Sequence, residues 1–175
     1  MSNNTHFEGD IRVHSRIVDY LSSGIYRSPG ASLKELINNS FDADATKVEM
    51  FVKPDANQII IEDNGHGMTK TEFEKHFRMI SESHKRAESE LTDLGRPKIG
   101  LIGIGFISAN EICDVMEIIS TKNGSDELLR VNINFEVMRK DPSERRGDDD
   151  TLTKADYSGI PEKTEIGDHY TISLL

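Results

Sequence analysis

The chain has 175 residues, 35% of them hydrophobic and 30% charged, and a formal net charge of −10. These totals suit one globular domain long enough to bury a core. They argue against a generic nucleic-acid or membrane binder, whose partners are themselves anionic. The single cysteine, Cys113, excludes an internal disulfide, and residues 1–10 are polar, with neither signal-peptide nor membrane-spanning character. The expected location is the cytoplasm.

Residues 1–10 read as a loose arm, with the domain proper expected over 11–175. Ile11, Val13, Ile17, Val18 and Leu21 approximate a helical stripe. After the break at Ser28-Pro29-Gly30, a helix is expected over 32–42, with Leu33, Leu36, Ile37 and Phe41 inward. Val48, Met50 and Val52 alternate as in a strand, 54–57 is a turn and 58–63 a second strand, so the two form a hairpin. Residues 69–79 read as a helix, with Thr69 as N-cap and Glu72 three positions on. Residues 81–98 are polar and charged and carry Gly95 and Pro97; a loop of that length inside a domain is commonly functional. A glycine-rich run over 100–105 leads into a helix through Cys113, and 115–121 and 128–135 read as strands. Residues 141–158 are charged and read as irregular, and 170–175 as a last strand. The chain stops on that apolar run, as expected of a piece of a longer protein. The order predicts an α+β fold, a two-layer sandwich with a mostly antiparallel mixed sheet and helices on one face. It lacks the strand-helix alternation of a Rossmann fold.

Three stretches carry chemistry. In Glu35-Leu36-Ile37-Asn38-Asn39, Glu35 and Asn39 are four apart and share a helix face at the border of the buried stripe. A carboxylate there can polarise a water, and an amide oxygen one turn on can ligate a hard cation such as Mg²⁺. In Ile59-Ile60-Ile61-Glu62-Asp63-Asn64-Gly65-His66-Gly67-Met68, Asp63 shares a face with Ile59 and Ile61. A half-buried carboxylate needs a donor, which an adenine amino group can supply. Gly65 and Gly67 permit close approach to the backbone. In Gly100-Leu101-Ile102-Gly103-Ile104-Gly105, glycines free the amides to wrap phosphates ahead of a helix N-terminus. No Gly-Lys-Ser/Thr follows, so this is not a Walker loop. Each stretch also has a bland reading: a solvated helix face, an ordinary Asp-Asn-Gly turn, and a tight loop-to-helix junction.

Together, and in this order, the three resemble the boxes of the GHKL superfamily of ATPases, which includes DNA gyrase, the ninety-type heat-shock chaperones, histidine kinases and MutL. The first box runs on through Ser40-Phe41-Asp42-Ala43, and Gly103-Ile104-Gly105-Phe106-Ile107-Ser108-Ala109 is most similar to the chaperone branch. The resemblance implies the Bergerat ATP-binding fold, with ATP and Mg²⁺ as ligands. It implies Glu35 as general base, Asn39 on Mg²⁺, Asp63 on the adenine amino group with a water beside Gly67, and Met68 against the adenine. Gly100, Gly103, Ile104, Gly105 and Phe106 would line the phosphates, with Asp42 also in the nucleotide site, and 81–98 would be the lid. Where the family places a Gly-Thr element, Asp168-His169-Tyr170-Thr171-Ile172 stands, and Thr171 is carried over as its counterpart.

Among the basic residues near the lid, Lys85, Arg86, Arg96 and Lys98, the best candidate for the γ-phosphate is Lys98, two before Gly100. His66, His76, His84 and His169 lack metal-ligand spacing, and Asp148-Asp149-Asp150 reads as a solvated acidic loop. The expected function is a nucleotide-driven conformational switch, a chaperone-like ATPase with an ATP-dependent homodimer and an unspecified client protein. The alternative is the ATP module of a DNA-repair or topology machine that needs a downstream domain for hydrolysis. No direct nucleic-acid or membrane contact is indicated. Histidine kinases carry Asn where Glu35 stands, which argues against that class.

Overall fold

The computed structural model describes residues 6–14, 28–77, 79–80, 91–100, 105–136, 151–163 and 169–175. The strands are β1 (Phe7–His14), β2 (Val48–Lys53), β3 (Gln58–Asp63), β4 (Met79–Ile80), β5 (Val115–Thr121), β6 (Glu127–Asn134), β7 (Thr151–Lys163) and β8 (Tyr170–Leu174). The helices are α1 (Pro29–Asp42) and α2 (Lys70–Phe77), with short 3₁₀ helices at Pro54–Ala56 and Gly105–Glu111. Among the described residues the strands form one eight-stranded sheet in the order β2-β3-β8-β5-β6-β7-β1-β4. Every pair is antiparallel except the terminal β1–β4 pair. The expected α+β class and mixed, mostly antiparallel sheet are thus observed.

Directly opposed residues of antiparallel strands share a face. One such row runs Met50, Ile61, Ser173, Ile118, Val131, Gly159, Phe7 across the sheet. Ile61, Ile118, Val131 and Phe7 belong to the core cluster together with Leu36 of α1, Phe73 of α2, and Phe106, Ile107 and Ala109 of the second 3₁₀ helix. The helices therefore cover this face. The opposite face carries Glu117, Arg130 and Glu162, where Arg130 donates to both carboxylates at 2.9 and 3.2 Å. Among the described residues no helix is long and apolar enough to cross a membrane.

Local chemistry explains the element ends. The Ser28 hydroxyl accepts from the Ala31 amide at 3.3 Å, Pro29 occupies the first turn, and α1 ends at Ala43. At α2 the expected capping box is present. The Glu72 carboxylate accepts from the Thr69 amide and hydroxyl, both at 3.0 Å, and the Glu72 amide donates back to Thr69 Oγ1 at 3.3 Å. Lys122 also reaches Glu72. The β2–β3 hairpin closes through Pro54–Ala56 and Asn57, which sits at φ 49°.

Four expectations need correction. Residues 7–14 are neither loose arm nor helix: Phe7–His14 is strand β1, with Phe7 and Ile11 buried on one face and the Tyr157 ring filling the space at Gly9. The rest of the expected helix, 15–21, lies outside the described residues. The helix expected over 69–79 stops at Phe77, and Met79–Ile80 is the edge strand β4. The glycine run leads into a 3₁₀ helix ending at Glu111 rather than a helix through Cys113. Residues 151–158 are not irregular but belong to β7, which is paired with both β6 and β1; 141–150 lie outside the described residues. The sequence of β7 looks polar because a strand with one covered face needs few apolar residues. Its Pro161 lies beyond the last β1 partner, Phe7↔Gly159, where β7 needs no donor on that side.

Candidate functional site

The site builds from the end of β3. Asp63 lies on the covered face, in one row with Thr171 of β8 and Ser120 of β5. Asp63 Oδ2 accepts from the Ser40 hydroxyl of α1 at 2.8 Å, and Oδ1 accepts from the Gly65 amide at 2.9 Å. Burial pushes the Asp63 carboxyl above the ordinary carboxylate range, against the pull of these two hydrogen bonds and of His66. The Ser120 hydroxyl lies 2.9 Å from Thr171 Oγ1 and accepts from the Met68 amide at 3.0 Å. The turn after β3 is thus fixed to α1 on one side and to β5 and β8 on the other. Gly67 is required there: its φ is +67°, and a Cβ would stand 1.7 Å from the Thr121 carbonyl oxygen. Asn64 faces away, its amide oxygen accepting from the Thr46 and Lys47 amides at 2.9 and 2.8 Å.

Farther along α1, Glu35 is half-buried and Asn39 exposed, one turn apart. A Cβ on Gly105 would meet both amide atoms of Asn39 at 3.1 Å, so the first and third stretches meet there. Asp42 completes the junction: its two oxygens accept the Ile99 and Gly100 amides, each at 2.8 Å. This carboxylate holds the start of the glycine run against the end of α1. Leu101, Ile102, Gly103 and Ile104 lie outside the described residues. The Phe106 ring is buried and packs against Phe77 at 4.4 Å between centroids, so its side chain serves the core. Lys98 is half-buried, next to the two amides held by Asp42.

The segment expected as a lid divides. Residues 81–90 lie outside the described residues, while 91–100 fold as a turn tied to α1. The Leu94 amide donates to Asp44 Oδ2 at 3.0 Å, Arg96 donates to the Ala45 carbonyl at 2.8 Å, and its guanidinium lies 5.2 Å from the Phe41 ring centroid. Desolvation works to raise the Asp44 pKa, but the hydrogen bonds from Thr92 and Leu94 and the Arg96 charge outweigh it and hold the carboxyl below its ordinary value. Arg96 thereby anchors this turn. Sequence reasoning gave no role to Ser40, Ser120 or this anchor. For Ser40 a local signal exists: it follows Leu36 by four on the buried stripe, where an apolar residue is expected.

A shallow depression of about 380 Å³ includes Glu49, Glu62, Tyr170 and Ile172 in its lining. These four belong to the uncovered face, and Lys47, Asp63 and Asn64 complete the lining, so the depression reaches the Asp63 turn. Among the described residues no three His, Cys, Asp or Glu side chains gather to hold a metal ion. The Asn39 amide, beside the space left by Gly105, suits a cation that takes its other ligands from phosphate and water, as Mg²⁺ does.

The profile of the family described as "Histidine kinase-, DNA gyrase B-, and HSP90-like ATPase" matches residues 26–152. The chain belongs to this family. It is an ATP-binding domain of the GHKL type, with affinity to the heat-shock chaperone branch. It is 35% identical over 136 residues to the chaperone protein HtpG of Bacillus subtilis, covering 66% of this chain and 22% of the relative. Against HtpG of Mesorhizobium japonicum it is 29% identical over 145 residues, covering 71% and 23%. It is also 35% identical over 107 residues to a putative type II restriction enzyme, HgiDII, of Herpetosiphon aurantiacus, covering 61% and 17%. The chain spans about a fifth of the length of the curated relatives it matches.

Proposed function

We propose that this domain binds ATP with Mg²⁺ between α1, the Asp63 turn and the glycine run, and hydrolyses it to ADP and phosphate as a conformational switch. The observation that carries the reading is the convergence on one turn of α1. Ser40 holds Asp63, Asn39 faces Gly105, and Asp42 holds the amides of Ile99 and Gly100. Asp63 accepts from the adenine amino group, with Met68 against the ring and Thr171 beside it. The amides of the glycine run and Lys98 take the phosphates. Asn39 would hold Mg²⁺, which would supply charge neutralisation at the phosphates. Glu35 takes a proton from the attacking water while the bond from the γ-phosphorus to the bridging oxygen breaks and ADP leaves. Closure over the nucleotide brings two copies together and acts on a client protein. Glu35→Ala is expected to bind ATP with wild-type affinity by calorimetry and to release phosphate at least a hundredfold more slowly. Turnover at the wild-type rate in that variant would remove Glu35 from the mechanism.

The similarity to HgiDII supports a second reading, an ATP-binding module of a DNA-acting machine that hydrolyses only with a downstream domain. Under that reading this chain binds ATP but releases no phosphate, and adding the rest of the protein restores release.

A further inference from the structure

We infer that β2 is a self-pairing edge: two copies of this chain join β2 to β2, antiparallel, into one continuous sheet without nucleotide. Among the described residues β2 is a terminal strand with one neighbour, β3, and it pairs with β3 over all six positions without a bulge. Natural edge strands are normally blunted by short length, charged side chains, a bulge, an interior proline or a covering element, and the two charges of β2, Glu49 and Lys53, are of opposite sign. Here Met50, Phe51 and Val52 are instead 46%, 43% and 58% exposed in succession. Pro54 follows the strand and does not interrupt it.

Charge selects the occupant. Symmetric antiparallel pairing places a twofold axis perpendicular to the sheet, which keeps each side chain on its own face. The axis must then pass through a residue, and three centres lie within the apolar triplet. Centred on Met50, Lys47 meets Lys53 of the second copy. Centred on Val52, Glu49 meets Asp55. Centred on Phe51, Glu49 meets Lys53, twice by symmetry, Phe51 meets Phe51, and Met50 meets Val52. Opposite charges and apolar pairs directly across strands stabilise a sheet, and like charges oppose it. The strand is therefore complementary to itself in one register. The Lys47–Glu49 ion pair of 2.7 Å at the start of the strand is exposed, 66% and 46%, so it is weak and exchanges readily.

The test is sedimentation velocity of the nucleotide-free protein over a concentration series up to several hundred micromolar. The wild type is expected to dimerise reversibly. Phe51→Lys and, separately, Lys53→Glu are each expected to raise the dissociation constant at least tenfold, with circular dichroism unchanged. Glu49→Lys combined with Lys53→Glu recreates both opposite-charge pairs and is expected to recover the dimer to within about threefold, which general loss of an apolar patch would not allow. A wild type that stays monomeric, a dimer that survives both single substitutions, or a double swap that fails to recover association would each overturn the inference.

Discussion

Asp63 combines two demands that pull against each other. Its carboxylate is partly withdrawn from water, and burial raises its pKa in spite of the Ser40 and Gly65 hydrogen bonds. A folded-state pKa above the unfolded value means that the native state binds more protons between the two. The contribution of this group to stability is therefore lost as pH rises from near 3.8 through the raised value. Asp63→Asn, which removes the charge and keeps the shape, should melt at or above the wild-type temperature at pH 7. That difference should shrink as the pH falls toward 4. The same variant should give no heat with ATP, because an Asn can present its donor to the adenine amino group. An Asn variant that still binds would discard the adenine contact, and a pH-independent melting difference would discard the burial argument. Ser40 escaped sequence reasoning because its partner lies 23 positions away, and only the folded chain sets a hydroxyl against Asp63.

At the scale of elements, α1 organises the domain. One turn of this helix, Asn39 to Asp42, touches the β3 turn, the glycine run and the segment before it. Asp42, expected in the nucleotide site, accepts backbone amides with both its oxygens, and we propose that it acts on ATP through the position of the glycine run. Asp42→Ala should increase hydrogen exchange at the amides of Ile99 and Gly100 at least tenfold while α1 and β3 keep their protection, and should weaken ATP binding. Unchanged exchange at those two amides would show that the start of the glycine run is held by other contacts. Capping box and hairpin were legible because both are written within a few consecutive residues. Strands β1 and β7 were not. They pair with each other across more than a hundred positions, and local pattern carries no record of such partners.

For the whole molecule, the sheet supplies a scaffold with one covered face and one open face, and the site stands at the end of the covered face, where Asp63, Thr171 and Ser120 align. A ligand that spans α1, this row and the glycine run binds the folded chain alone, so it must stabilise it. ATP at a hundred times its dissociation constant should add about 2.7 kcal/mol, which for a domain of this size raises the melting temperature by roughly 5–10 °C. Differential scanning calorimetry with and without ATP checks this, and no shift at saturation would contradict binding across these elements. By itself the sequence determined the family and the order of most elements and singled out Glu35, Asn39, Asp63 and the glycines as candidates, because those boxes are short and their spacing is carried by adjacent residues. The tertiary structure alone decided that β1 and β7 are neighbours in the sheet, that Asp42 and Arg96 hold backbone groups, and that Ser40 and Ser120 support the Asp63 turn. Those facts depend on which distant segments meet, and that is fixed by packing and backbone pairing across the whole fold.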